Sequence, residues 1–262
     1  MMRRAVGHPV AALALAPARN GSVDALRGFA VLWMTAFHFA FDLNHFGFIH
    51  QDFYTSPLWT TQRTCILSLF LFCAGLGQSL AVASGQTWGK FWRRWVQIAG
   101  CAALVSIGSV FMFPQSWIYF GVLHGMAVML LISRLTGRWR QWLWLAGAVA
   151  IGVGLLAQPA HAMFPQLVVL NQKVLSWIGF VSQKPITEDF GPVLPWLGVM
   201  WWGMAAGQLA IARGWLTMAR PNRSGAALRA LAFIGRWSLT WYMVHQPLLI
   251  GLLTLTAAAL HQ

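Results

Sequence analysis

An all-α bundle of about seven transmembrane helices, with a cytoplasmic N-terminus, is the fold that this 262-residue sequence predicts, on three observations. Hydrophobic residues make up 58% of the chain and charged residues 9%, against about 45–50% and about 25% in soluble globular domains; the mean hydropathy is +0.61. Apolar runs close to the roughly 20 residues that a hydrocarbon core demands recur along the whole length. Lysines and arginines gather in alternate connections between those runs, the asymmetry that orients membrane helices.

The first stretch, MMRRAVGHPVAALALAPARNG, has two arginines, a short apolar patch and an Ala-Pro-Ala tail, which imitate a secretory signal. His8 and Pro9 interrupt the patch and a span begins directly afterwards. Residues 1–21 therefore read as a mobile cytoplasmic tail, and 22–262 as one transmembrane domain. Seven spans follow, at about 25–43, 62–84, 93–113, 117–134, 141–157, 193–212 and 231–259. The last exceeds what one crossing needs. Pro247 inside it lacks a backbone donor and crowds the carbonyl of Met243, so a kink or a division is expected there, and counts of six or eight stay open.

Fourteen of the eighteen cations fall on one side of this arrangement. They are Arg3, Arg4, Arg19 and Arg27 before the first span, Lys90, Arg93 and Arg94 after the second, Arg134, Arg138 and Arg140 after the fourth, and Arg213, Arg220, Arg223 and Arg229 after the sixth. Only Arg63, Lys173 and Lys184 lie in the alternate connections. The N-terminus is thus placed in the cytoplasm and loops 44–61 and 158–192 outside. The net charge of +13 is accordingly a topology signal; with no compact basic and aromatic platform, nucleic acid is not an expected partner. Sixteen Trp and seventeen Phe suit spans and interfacial belts. Cys65, Cys73 and Cys101 have neither metal-ligand spacing nor a close partner, so no metal site and no disulfide are expected.

The first span holds the most telling stretch, DALRGFAVLWMTAFHFAFDL (residues 24–43). Ionisable side chains within a bilayer are costly and mark partners, cavities and function. Arg27 and His38 share a helical face about 16 Å apart along the axis. Asp42, one turn beyond His38, lies on that face, and Asp24 is spaced to pair with Arg27. Arg27 also reads as a positive-inside anchor, and His38 with Asp42 as a structural pair. Two further spans carry histidines at similar depth. His124 stands between Gly121 and Gly125 in FGVLHGM, and His245 follows Tyr242 by one turn in GRWSLTWYMVHQPLL. Any one of these histidines alone reads equally as an inter-helix hydrogen bonder, but three in separate spans point to a polar central cavity. His45, His50 and Asp52 add titratable groups on the first outer loop.

Four blocks, SVDALRGFAVLWMTAFHFAFDL, FGVLH, PVLPWLGVMWWGMAAG and GRWSLTWYMVHQPLL, resemble in order those of the bacterial heparan-alpha-glucosaminide N-acetyltransferase catalytic-domain-like family, over residues 22–255. The spacing from Arg27 to His38 is also similar to the arginine, ten residues, histidine signature of membrane O-acyltransferases. The resemblance implies an integral protein of the bacterial inner membrane that passes an acetyl group from cytosolic acetyl-CoA to an amino or hydroxyl group of a sugar or glycan on the far side. It implies Arg27, with Asp24, as donor-binding residues, a buried histidine as general base or acetyl acceptor oriented by Asp42, and His124, Tyr242 and His245 around the substrate. In the lysosomal members the position matching His38 is asparagine and the catalytic histidine follows the first span, where this chain has His50 one residue out of register; His38 stands ahead of His50 here because it shares a face with Arg27 and Asp42. The competing class is a proton-coupled transporter using the intramembrane His and Asp, against which stands the lack of paired broken spans in matching halves.

Overall fold

The computed structural model describes residues 20–216 and 225–260, and every regular element among them is helical. The expected tail lies outside the described residues up to position 19. Asn20 and Gly21, assigned to that tail, instead start the first helix. Asn20 is its N-cap, its side-chain oxygen accepting the amides of Ser22 and Val23 at 3.0 and 3.3 Å, and Asp24 complements the dipole of the first turn of α1 (Gly21–His45). Next come α2 (Pro57–Ala83), opened by a proline at a position where no amide hydrogen is needed, and α3 (Trp88–Met112), capped by Thr87. Then follow α4 (Val122–Thr136), α5 (Trp142–Leu155) and α6 (Ala157–Met163), the short α7 (Lys173–Ser176), α8 (Trp196–Ala212), α9 (Ala226–Arg236) and α10 (Ser238–Leu260).

Helix length and apolarity give fewer crossings than seven. Among the described residues α2, α3 and α10 are long and apolar enough to cross a membrane, and a fourth crossing results if α5 and α6, bent by 49°, form one span. α4 and α8 have 15 and 17 residues, about 22 and 26 Å of helix against a hydrocarbon core of about 30 Å. α1 has 25 residues, but Asp24, Arg27, His38 and Asp42 dilute it. The fourth predicted span starts late because residues 116–120 pair with a distant loop, Glu188 N–H donating to Ser116 O at 3.0 Å and Gly191 N–H to Phe120 O at 3.2 Å.

The run at 231–259 divides in a different place from the one its proline suggests. The break falls at Trp237, between α9 and α10, and α10 continues through Pro247. The reason is packing: a Cβ on Gly235 would stand 1.8 Å from the Asp24 carbonyl, and one on Gly28 2.0 Å from that of Leu231. Backbone-to-backbone contact thus sets the path of α9 across the first half of α1, and the chain turns at Trp237 to send α10 beside the second half.

Small residues weld a second pair in the same way, since without a hydrophobic drive between helices close backbone approach supplies the packing energy. Gly75 of α2 meets Met200 O of α8, and Gly203 of α8 meets Phe72 O of α2. Leu71, Met129, Val193, Leu197 and Met200 form the core that joins α2, α4 and α8. Ile98, Ala102, Leu123 and Ala127 form another, against which Leu239, Tyr242 and Met243 of α10 pack. α10 is therefore held between α1 on one side and the α3–α4 pair on the other.

Candidate active site

Three rungs join α1 to α10. Trp241 donates its indole N–H to Thr35 Oγ1 at 2.9 Å. One turn on, His38 Nδ1 lies 2.9 Å from both His245 Nε2 and Gln246 Oε1, with the imidazoles stacked at 5.0 Å between centroids. Last, Gln246 Nε2 donates to Asp42 Oδ1 at 2.7 Å.

Acceptors fix where the protons sit. His245 Nδ1 faces the carbonyls of Tyr242 and Trp241 at 2.9 and 3.2 Å; these only accept, so Nδ1 carries the hydrogen and, in the neutral ring, Nε2 accepts. Gln246 must turn its NH₂ to the Asp42 carboxylate, which leaves its oxygen facing His38. Both neighbours of His38 Nδ1 are thus acceptors, and the proton of His38 resides on Nδ1. Its Nε2 keeps a lone pair and has no partner among the described residues, on a ring that is half-buried. The arrangement presents one basic nitrogen, backed by a chain of hydrogen bonds that ends on a carboxylate.

The other two deep histidines have no nitrogen to spare. His245 is buried with both nitrogens engaged. His124 closes the N-terminus of α4: Gly121 N–H donates to its Nδ1 at 3.2 Å, and its Nε2 lies 3.1 Å from Ser106 Oγ, whose hydroxyl donates to Ile118 O at 2.6 Å. These contacts give His124 the work of a helix cap.

One expectation needs correction. Asp42 does not orient His38 directly; Gln246, from the other helix, stands between them. The second carboxylate oxygen of Asp42 is buried without a hydrogen-bond partner among the described residues. Spacing within one helix shows which side chains share a face, but not which group on a neighbouring helix is inserted between them. The only sequence signal for Gln246 is an amide beside a histidine in an otherwise apolar stretch.

A second carboxylate that the motif reading passed over adjoins this chain. Asp189, in the loop before α8, accepts Val122 N–H at 2.8 Å and lies 3.5 Å from the Tyr242 hydroxyl, and the Tyr242 ring is 5.9 Å from that of His245. Burial raises the Asp189 carboxyl above the ordinary carboxylate range, opposed first by the Val122 amide and then by Lys184. Hydrogen bonds thus run from His245 through His38 and Gln246 to Asp42, and the Asp189–Tyr242 pair adjoins them by ring contact with His245.

Arg27 and Asp24 pair as their spacing predicts, Nη1 to Oδ1 at 3.1 Å, toward the opposite end of α1 from the histidines. His50 stays apart from the network: it is exposed in the loop between α1 and α2 and makes no hydrogen bond among the described residues. Asp52 beside it is occupied by the amides of Tyr54 and Thr55 and the Thr55 hydroxyl, which hold its carboxyl below the usual range.

If the relay sets the state of His38, Gln246→Leu should slow the reaction without disturbing donor binding. A hydrogen bond to a charged group is worth about 1.5–3 kcal/mol, so a fall in kcat of roughly 10- to 100-fold is expected, with the dissociation constant of the donor unchanged in a direct binding measurement. An unaltered kcat would remove Gln246 from the relay.

The family model described as "Heparan-alpha-glucosaminide N-acetyltransferase, catalytic" matches residues 19–247. No curated protein and no solved structure matches the chain.

Proposed function

Since the chain belongs to the heparan-alpha-glucosaminide N-acetyltransferase catalytic family, we propose that it is a membrane acetyltransferase that moves an acetyl group from acetyl-CoA, bound at the cytoplasmic end of α1, to an amino or hydroxyl group of a sugar or glycan presented from the far side. The observation that carries this reading is the single unengaged imidazole nitrogen, His38 Nε2, among three deep histidines. In the proposed step His38 Nε2 takes the proton from the acceptor as its oxygen or nitrogen bonds to the acetyl carbon. The carbon–sulfur bond breaks, and CoA leaves as the thiolate. The imidazolium that results keeps its Nδ1–H on His245 and Gln246, and the Asp42 carboxylate balances its charge through Gln246. Asp189 and Tyr242, beside His245, stand where an acceptor's hydroxyl or amino hydrogens would be held.

The alternation of cations in the sequence supports seven crossings with the N-terminus in the cytoplasm, provided that α1, α4 and α8 complete their passage with the flanking loops. In that orientation Arg27 faces the cytoplasmic mouth. Its guanidinium suits CoA phosphates, and the distance of about 16 Å along α1 to His38 is one that an extended thioester arm spans.

Incubating the purified protein in liposomes with labelled acetyl-CoA and a panel of amino and hydroxyl sugars tests the reading. Label on a sugar supports acyl transfer. A transporter would leave the thioester intact, and that result would refute the proposal. Arg27→Gln should raise the dissociation constant of acetyl-CoA roughly 10- to 100-fold, the equivalent of about 1.5–3 kcal/mol for a charge-assisted contact. Unchanged affinity in that variant would return Arg27 to the role of an anchor.

A further inference from the structure

At the end of the bundle away from the histidines, Arg134 leaves the last turn of α4 and lies over the rings of Trp88 and Phe91, 5.2 and 5.6 Å from their centroids. Its Nη2 donates to the carbonyl of Gln86, whereas Nη1 is buried without a hydrogen-bond partner among the described residues, as is the side-chain oxygen of Gln86. An unmet N–H on a charged group is expensive, and the two rings prevent the guanidinium from swinging away to find water. The chain has little with which to answer it. Of its five acidic residues, Asp42, Asp52, Glu188 and Asp189 belong to the other end of the bundle, and Asp24 is engaged by Arg27. No described residue supplies the missing acceptor.

The surroundings identify its source. Lys90, in the first turn of α3, is exposed, as are the large rings of Trp88 and Trp92, the amphipathic side chains that settle at headgroup level. Beyond them α3 turns an apolar face outward, with Val96, Leu104 and Ile107 each about 60% exposed, which suits acyl chains. We propose that Arg134, with Gln86 and Lys90, binds the phosphate of an anionic phospholipid in the leaflet that this end of the bundle faces. One phosphate oxygen accepts from Nη1. The Gln86 amide, turned about its terminal bond, offers its NH₂ to a second, and Lys90 supplies the added attraction that anionic leaflets have for cations.

The test uses the full chain in nanodiscs of equal parts phosphatidylglycerol and phosphatidylcholine, followed by native mass spectrometry after mild delipidation. Wild type is expected to retain one phosphatidylglycerol per chain, and Arg134→Gln to reduce that retained fraction at least tenfold. Gln86→Leu, which leaves every charge in place and guards against misfolding of the arginine variant, should weaken retention several-fold. Equal retention by wild type and both variants would overturn the site, and equal retention of the two lipids would overturn its preference for an anion. Release of the lipid by added CoA, without a variant effect on lipid in its absence, would assign the notch to a soluble phosphate ester and overturn the lipid reading.

Discussion

His38→Ala should lower acetyl transfer by about 10²- to 10⁴-fold, the usual contribution of a positioned general base, while acetyl-CoA binding stays as it is. The expectation rests on the protonation pattern: of His38, His124 and His245, only His38 offers a nitrogen with a free lone pair, and Gln246 and His245 hold its proton on the other side of the ring. His50→Ala is the necessary comparison, because the family resemblance read from the sequence implies a catalytic histidine just past the first span. In the structure His50 is exposed, with no hydrogen-bond partner among the described residues to set its tautomer, so its loss should change the rate little. Transfer rates and donor affinities measured on both folded variants decide the matter. Retained transfer in His38→Ala with loss in His50→Ala would move the chemistry to the outer loop and leave the α1–α10 contacts as structure.

Gly203→Val should prevent accumulation of folded protein altogether. A Cβ there would stand 2.2 Å from Phe72 O, 2.8 Å from Phe72 C and 2.8 Å from Phe72 Cα, all of them backbone that cannot rotate aside. Overpacking that a side chain absorbs costs about 1–3 kcal/mol; here two helices must separate along their whole contact, which costs more. Gly152, with nothing within 4 Å of the added carbon, is the control, and Gly152→Val should elute as a single species. Fluorescence-detected size exclusion in detergent compares them. A Gly203→Val protein that eluted and melted like wild type would show that α2 and α8 are not welded at this point.

Much of α1 is legible in the sequence itself, because the positions sharing one face of a helix follow from its period alone: Asp24 with Arg27, and His38 with Asp42, need no knowledge of neighbours. What the sequence hides is what other segments decide. Gln246 becomes part of the site only because α10 lies beside α1, and the break at Trp237 depends on Gly235 meeting the backbone of Asp24. α4 starts five residues later than its apolar run suggests because a loop some seventy positions downstream occupies residues 116–120. The capping role of His124 is not announced in the sequence, because Gly121 and His124 lack the Ser or Thr followed by Glu or Gln of a capping box; it shows only in the contact of Gly121 N–H with His124 Nδ1. Pro247 is the conspicuous breaker in the sequence, and here it misleads, since a helix within a bundle tolerates a proline when neighbours steady it.

The ladder between α1 and α10 couples two properties that usually oppose each other. In most soluble enzymes the polar groups of the active site weaken the fold, and replacing them tends to raise stability while lowering the rate. Here Thr35 with Trp241, His38 with His245, and Asp42 with Gln246 also bridge α10 to α1. Each such rung is worth on average roughly 0.6 kcal/mol in membrane proteins. On the proposed mechanism, loss of the His38 or Gln246 rung should lower rate and melting temperature together, and a melting series across those variants would slope the opposite way from the familiar trade-off. On that proposal, a variant that lost its chemistry through the His38 or Gln246 rung would also show a loosened seam between α1 and α10.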